Sequence, residues 1–350
     1  MSLKSSLLQT TNHQLQTIKI MIKKTPIIWA LVDERAGNTS QVLGVAEAFN
    51  MPFIIKNIRY NRLGRISNFI KGKSLLGLTH ESKAEICAPW PDVVISVASR
   101  MESAALYIKK QNPSAKLVHI QKPKLPIRNF DLVTTPEHDF LNKEKSAINK
   151  SAVPANVLLT LGAPNRINAS VLAKGQEKWQ AQFAHLPKPH IALLVGGSTN
   201  KHEFLPAHAK DLASKANQLV ADTGGSLLVT TSRRTPVDAI EILKTELPKE
   251  KYFYDVRDNT ENPYAGLLAF ADIIIASGDS TSMCSESCTT GKTVYIYSPE
   301  DITPPKFHYF HKKLIEGGYA RMLGEGISNN SYAPLNDSKI IADYIKKNYC

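Results

Sequence analysis

The segment Ala276 to Thr293, ASGDSTSMCSESCTTGKT, lies between the apolar runs DIIIAS and TVYIY and is dense in Ser and Thr hydroxyls. Gly278 permits a tight strand-to-helix turn. Ser280, Thr281 or Ser282 then caps a helix whose free N–H groups and dipole attract a phosphate. Glu286, one to two turns further along, is placed to accept hydrogen bonds from ribose hydroxyls. That chemistry is a nucleotide-diphosphate site; the plainer alternative is an ordinary N-cap with a surface Glu.

Two more strand ends offer matching groups. LLVGGSTN puts Gly196 and Gly197 where a backbone must approach a diphosphate or a nucleophile, with Ser198 and Thr199 as further donors. VTTSRRTP ends the next strand with Ser232, Arg233 and Arg234 before a Pro-started helix. A guanidinium there can neutralise a leaving diphosphate through paired hydrogen bonds, or it is simply a solvated basic turn.

The first half of the chain supplies candidate bases. In LVDERAGNTSQ, Asp33 or Glu34 stands at a strand end, and Arg35, Gly37 and Asn38 lead into a helix on the acceptor side. Asp33 and Arg35 paired with each other are the alternative. TTPEHDF offers His138, oriented by Glu137 or Asp139.

Other signals fail on inspection. TTGKT has Glu286 where a phosphate loop needs its first Gly and leads into a strand, and KGKS at 71 to 74 has Ser67 there. No G-x-G-x-x-G follows the first strand, which removes support for a nicotinamide or flavin dinucleotide, and no cofactor is expected. Cys284 and Cys288 share a helix face without His or Cys partners at metal spacing and read as packed thiols.

These residues need strands to carry them. β-Prone apolar runs (27 to 32, 53 to 58, 92 to 98, 116 to 121, 130 to 135, 156 to 162) alternate with amphipathic segments, and the pattern restarts at 191 to 197, 226 to 232, 252 to 256, 272 to 277 and 293 to 297. Such alternation is the signature of parallel sheets covered by helices. Two series of similar length joined near Pro187 predict an α/β chain of two Rossmann-like domains facing across a cleft, 25–185 on the acceptor side and 186–350 on the nucleotide-sugar side. The last helix is expected to pack back on the first domain. Ligands in such sheets sit at the carboxyl ends of the strands.

The net charge is +12, which favours anionic partners. Residues 1–24 contain lysines but no acid; they are read as a disordered extension, with Met21 an alternative start and a targeting segment the rival reading. RYNRLGRISNFIKGKSLLGL, 59 to 78, holds five basic residues and no acid, interleaved with large apolar ones. It fits either an anionic membrane surface or a solvated cleft-side face. Nucleic acid is not expected, because aromatic platforms and recognised motifs are missing. Four cysteines without a C-x-x-C pair point to a reducing compartment.

With these pieces in hand, the chain resembles the "elongated mitochondria" mitochondrial-fission family. The matching segments are WALVDERAGNTSQVLGVAEAF, PDVVISVASR, FDLVTTPEHD, TLGAPNRI, LLVGGSTN, SRRTP, NPYAGLLAFADIIIASGDSTSMCSE and TGKTVYIY, in family order from about 29 to 300. The resemblance implies similarity to GT-B glycosyltransferases, with the donor diphosphate near Gly197, Ser198, Ser280 and Thr281 and the ribose near Glu286. Lys122 in HIQKPKLP stands where a neutral residue is expected. The reading that follows is an inverting, metal-independent transferase without a D-x-D triplet, with Asp33 or His138 as base. It would move a sugar from a nucleotide-diphosphate sugar to a lipid-linked or envelope glycan acceptor, in the cytoplasm or peripheral on the inner membrane face. A nucleotide-sugar epimerase and a non-catalytic adaptor of the fission type are the alternatives.

Overall fold

The computed structural model describes residues 25–142, 147–199, 202–258, 260–327 and 332–350. The N-terminal leader, residues 1–24, lies outside them.

Five-residue apolar runs with no polar alternation must bury both faces, and here they do. β1 (Ile28–Val32), β2 (Ile54–Asn57), β3 (Val93–Val97), β4 (Lys116–Ile120), β5 (Leu132–Pro136) and β6 (Val157–Thr160) form one parallel sheet in the order β2-β1-β3-β4-β5-β6. β1 and β3 are buried at every position, as expected of strands between two helical layers. α1 (Ala36–Ala48) covers one face; α2 (Asn68–Lys71), α3 (His80–Glu85) and α4 (Ala98–Gln111) belong to the same lobe. Trp29 and Leu31 pack with Met101, Ala105 and Ile108 of α4, while Ile28, Ala30 and Val32 pack with Val42 and Val45 of α1.

After α5 (Ala169–Phe183), the second sheet uses β7 (His190–Leu194), β8 (Ser226–Thr230), β9 (Lys251–Tyr254), β10 (Ile273–Ser277), β11 (Thr293–Tyr297) and β12 (Arg321–Met322) in the order β12-β11-β10-β7-β8-β9. Its helices are α6 (Pro206–Thr223), α7 (Val237–Glu246), α8 (Tyr264–Phe270), α9 (Thr281–Thr289) and α10 (Pro305–Glu316). The apolar stretch before β10 forms helix α8, and the short edge strand β12 and helix α10 are additions to the periodic pattern. Both sheets repeat one local device: Asp92 before β3 accepts from Ile27 N at 2.8 Å, and Asp272 before β10 accepts from His190 N at 2.8 Å. Each carboxylate thereby ties the starts of two adjacent strands.

The chain crosses between lobes twice. α5 packs on α8: a side chain on Gly175 would meet the backbone of Ala265, and one on Gly266 would meet Trp179. α11 (Asp337–Tyr349) returns to the first lobe and buries Ile341, Ala342 and Ile345 beside α1. The outgoing strand end at 161–165 is held by the first turn of α11 and by α9. Asp337 accepts from Leu161 N (3.3 Å) and Gly162 N (2.9 Å), Ser285 Oγ accepts from Ala163 N (2.9 Å), and Ser338 Oγ accepts from Asn165 N (2.9 Å) and donates to Asn165 O (2.7 Å). Among the described residues no helix is long and apolar enough to cross a membrane.

Replacing Asp337 with Ala leaves two N–H groups unpaired in a buried joint. Urea unfolding is expected to show a loss of about 2–4 kcal/mol, the desolvation cost of those donors, and Asp337→Asn, which keeps one acceptor oxygen, a smaller loss.

Candidate functional site

In the second lobe the strand order reverses between β7 and β10, so the crevice at their carboxyl ends is the place where an open α/β sheet takes a ligand. The loops that meet there are Val195–Thr199, Thr231–Thr235 and Gly278–Ser280. A single buried carboxylate joins them. Asp279, with a fully inaccessible side chain, accepts from Gly197 N at 3.1 Å and from Ser277 Oγ, and pairs with Arg234 Nη1 at 2.7 Å. Arg234 Nη1 also donates to Gly197 O at 3.0 Å. Ser232 Oγ donates to Gly196 O at 2.8 Å, and Ser198 N donates to Arg234 O at 3.0 Å. The two adjacent glycines have a clear packing cause: a Cβ on Gly196 would overlap the Asp279 carboxylate, and one on Gly197 the Arg234 backbone.

The hydroxyls of the segment that opened the sequence analysis divide into two sets. Ser285, Ser287, Thr289 and Thr290 donate to carbonyls three or four residues back within α9 or at its end, at 2.6 to 2.8 Å. Those bonds let a polar helix be buried without orphaned hydroxyls, and Ser285 additionally holds the crossover. Ser280, Thr281 and Ser282, at the helix start, line the cleft. Ser280 caps the helix by accepting from Met283 N at 3.4 Å.

Glu286 is half-buried and faces the lobe junction. It accepts from Tyr264 Oη at 2.6 Å and from Ser40 Oγ of α1 at 3.5 Å. Burial pushes its carboxyl up to about 7, against those two hydrogen bonds, which favour the charged form. Tyr264 is itself held well above the usual phenol range by burial and by the neighbouring Glu286.

The first lobe faces this crevice with the turn after β5. His138 is buried, its ring edge-on to Phe307 and tilted against Phe310 of α10. Burial lowers its pKa to about 4, so the imidazole is neutral at pH 7; its Nδ1 has no partner. Asp139 lies 3.9 Å from His138 Nε2, accepts from Thr135 Oγ1 at 2.8 Å, and pairs across the lobes with Lys306 Nζ at 2.8 Å. Burial raises the Asp139 carboxyl, but His138, Lys306 and Thr135 together outweigh it and hold the group below its ordinary range. Lys122 donates to Asp139 O at 3.1 Å. Gln121, at the end of β4, has φ +74° and donates from Nε2 to Gln41 Oε1 at 3.2 Å. A non-glycine residue in that region is strained, and such strain gathers where a ligand is bound.

These groups enclose a cleft cavity of about 410 Å³ between the lobes. Arg234, Ser280, Thr281, Ser282, Lys306 and Phe307 line it from one side, and His138, Asp139, Gln41, Gln121 and Lys122 from the other. Asp279 and Asp139 are matched by Arg234 and Lys306, which leaves the Lys122 ammonium and the α9 N-terminus as the excess positive character. Of the residues singled out in the sequence, Arg234, Ser280, Thr281, Ser282 and His138 are brought together here. Gly196, Gly197, Ser198, Thr199, Ser232 and Gly278 lie behind them in the loop framework; Arg233 is exposed and outside the lining. Glu286 sits at the junction, with protein partners on both carboxylate oxygens.

Asp33 belongs to a different crevice, the switch point between β1 and β3 of the first lobe. Its side chain is 1% exposed, Oδ1 accepts from Arg35 N (3.1 Å) and Asn38 Nδ2 (3.5 Å), and Oδ2 has no hydrogen bond and lies 3.9 Å from Arg100 Nη1. Arg35 therefore contacts Asp33 through its backbone, and the guanidinium facing Asp33 is that of Arg100. Gly37 and Asn38 form the first turn of α1. Asp279, Lys306, Gln121 and Tyr264 went unread in the sequence: each is a single polar residue with a side-chain partner tens of positions or more away, from Tyr264 and Glu286 (22 apart) to Lys306 and Asp139 (167 apart). Among the described residues no group of three His, Cys, Asp or Glu side chains could hold a metal ion.

Two six-stranded parallel sheets opposed across a cleft define a GT-B-like protein, and solved structures agree on that fold. UDP-GlcNAc 2-epimerase from Methanocaldococcus jannaschii superposes with a TM-score of 0.53 at 14% identity, covering 91% of this chain and 98% of that one. UDP-GlcNAc 2-epimerase from Neisseria meningitidis, solved bound to UDP-GlcNAc, gives 0.52 at 13% identity over 92% and 100%. The chain belongs to the mitochondrial fission ELM1 family, whose model matches residues 36–349. It is 30% identical over 351 residues to "Uncharacterized protein RP120" of Rickettsia prowazekii (strain Madrid E), covering 91% of this chain and 97% of that protein. It is 32% identical over 273 residues to mitochondrial fission protein ELM1 of Arabidopsis thaliana, covering 73% of this chain and 64% of the plant protein.

Two consequences are measurable. Arg234→Met strands the Asp279 carboxylate; because the guanidinium is partly exposed, the expected loss of unfolding free energy is about 1–3 kcal/mol, below that of a fully buried pair. Glu286 has a folded pKa of about 7 against an ordinary 4.5, so its stabilising contribution is complete below pH 4.5 and is lost as pH rises to 7. Asp337, pushed up to about 7 by burial, acts in the same direction. Glu286→Gln is expected to remove roughly half of their joint stability slope between pH 4.5 and 7, read as Tm against pH.

Proposed function

We propose that this chain is a glycosyltransferase that takes a sugar from a nucleotide-diphosphate sugar held in the interlobe cleft, with inversion and without a metal. The observation that carries the reading is the meeting, in one cavity, of the α9 N-terminus and Arg234 with a neutral, buried His138. The donor diphosphate would lie on Ser280, Thr281 and Ser282, and the bound UDP-GlcNAc of the Neisseria epimerase supports a nucleotide-sugar as the ligand class at the level of fold. As the bond from the sugar carbon to the diphosphate oxygen breaks, charge develops on that oxygen, and Arg234 and the helix dipole stabilise it. The acceptor hydroxyl attacks the same carbon and gives its proton to His138, whose charged form Asp139 then stabilises. Of the two candidate bases, His138 lines the cleft and Asp33 does not. The chain would act in the cytoplasm, peripheral on the inner membrane face.

An epimerase would use the same donor pocket with no acceptor, and product analysis after incubation with labelled nucleotide-sugar separates the two. An adaptor would show no saturable nucleotide-sugar binding. In a thermal-shift panel of nucleotide diphosphates and nucleotide-sugars, a true donor at a hundredfold excess over its Kd adds about 2.7 kcal/mol of stability. The expected result is a shift for one nucleotide class that is reduced in Arg234→Lys, where the paired hydrogen bonds are lost. No shift for any candidate would return the chain to the adaptor class.

His138→Gln is expected to lower kcat by about 10²- to 10⁴-fold, the usual contribution of a general base, while leaving the donor's thermal shift in place. Because burial sets the His138 pKa at about 4, the acid limb of kcat/KM should fall near pH 4; a limb near 6.5 would assign the proton to another group.

A further inference from the structure

A second cavity, of about 1020 Å³, lies in the first lobe, away from the cleft just described. It sits over the carboxyl ends of β1 to β4, the position a ligand takes in a sheet of this kind. Arg35 follows β1, Arg62, Arg65 and Lys71 follow β2, Arg100 follows β3, and Lys124 follows β4; all six line it, together with neutral residues and no carboxylate. Among the described residues only Arg100 of the six has a carboxylate within 4.0 Å, through Glu34 at 2.6 Å and Asp33 at 3.9 Å. Lys71 is 4% exposed; its ammonium donates to Gly64 O at 3.4 Å and lies 5.8 Å from the Tyr60 ring centroid. Burial and the Arg100 charge lower its pKa and outweigh the buried Glu102 carboxylate, which acts in the opposite direction. Ala98, at the end of β3 beside Ser99 and Arg100 of this lining, has φ +57°, a strained backbone at the same crevice.

The rim is as distinctive as the lining. Residues 59–78 do not form one amphipathic helix: Gly72 at φ +55° and Gly77 at φ +90° divide them, and only Arg62–Arg65 and Asn68–Lys71 make short helical turns. This folding sends Arg62, Arg65 and Lys71 into the cavity and leaves Phe69 71% and Ile70 75% exposed at its edge, with Leu63 half-exposed nearby. Unpaired cations drawn around a deep pocket call for a phosphate or diphosphate. Two adjacent, largely exposed apolar side chains beside it call for hydrocarbon.

We propose that this cavity binds the phosphate or diphosphate headgroup of a membrane-borne lipid, that Phe69 and Ile70 enter the bilayer beside it, and that this lipid is the acceptor. The acceptor role rests on the transferase reading, whereas the binding does not. The cavity shares two elements with the cleft: α1, whose flanks supply Arg35 here and Gln41 there, and the loop after β4, which supplies Lys124 here and Lys122 there. A headgroup in the cavity therefore lies against the same elements that line the donor cleft.

The test is vesicle flotation of the full chain with phosphatidylcholine vesicles, plain or containing a polyprenyl phosphate, and, separately, calorimetric titration with inorganic pyrophosphate and with farnesyl diphosphate. Expected are flotation only with the polyprenyl phosphate and tighter binding of farnesyl diphosphate than of pyrophosphate. Arg62→Ala/Arg65→Ala should weaken flotation roughly tenfold or more, and Phe69→Ser/Ile70→Ser should abolish flotation while pyrophosphate binding persists. Lys71→Met reports on the buried cation through pyrophosphate binding, and a circular-dichroism melt of each variant separates lost binding from lost fold. Lys210→Ala/Lys249→Ala, which removes the same charge from the second lobe, should float as the native chain does. An equal loss in that control would reduce the effect to net charge and overturn the proposal. So would equal affinity for pyrophosphate and farnesyl diphosphate without flotation, which would make the cavity a soluble-anion site. Flotation and headgroup binding without sugar transfer from any nucleotide-sugar would uphold the lipid site and overturn the transferase reading and the acceptor role with it.

Discussion

The architecture of the cleft depends on one buried carboxylate. Asp279 sits at the switch point of the second sheet and is the common partner of the loops after β7, β8 and β10. A charge so placed is tolerable only because a guanidinium and an N–H group reach it. In satisfying it, the protein brings Arg234 to the cleft, packs Gly196 and Gly197 against it, and leaves the α9 N-terminus facing open space. The first lobe has a parallel arrangement, with Arg100 against Asp33 and Glu34 at its own switch point. Each sheet thus has a carboxylate and an arginine at its switch point.

The lobes are coupled by backbone as much as by side chains. α5 packs with the second lobe and α11 with the first, so each lobe is completed by a helix that adjoins the other in sequence. The crossover at 161–165 has no sheet partner for several of its N–H groups, and Asp337, Ser285 and Ser338 take that place. Ser285 lies on the helix whose first turn faces the cleft. Glu286, bonded to Tyr264 and approached by Ser40, spans the same junction.

The two cavities differ in electrostatic character. In the cleft, each carboxylate has its own cation, and the remaining positive character comes from one ammonium and one helix end. In the first-lobe cavity six cations meet with a single one paired. A buried imidazole that is neutral at pH 7 stands in the former.

Much of the fold was legible in the linear order of residues. Parallel strands buried on both faces must be apolar throughout, so β1, β3, β7, β8 and β10 announce themselves, and the restart of the pattern at 191 announces a second lobe. Gly278 and the small hydroxyls after β10 marked the helix start for the same local reason, since turn and cap chemistry act within four residues. What local pattern did not carry was the pairing of distant groups. The glycines of LLVGGSTN looked like room for a ligand; Gly196 is room for the Asp279 carboxylate and Gly197 for the Arg234 backbone. The sequence by itself determined the α/β class, the two lobes, the strand ends and the charge of residues 59–78. Only the tertiary structure decided that His138 meets Arg234 across a cleft while Asp33 belongs to another crevice, and that a linear run of cations becomes the wall of a cavity. Those outcomes depend on contacts between residues tens to hundreds of positions apart, and burial acts on such groups only after the chain has brought them together.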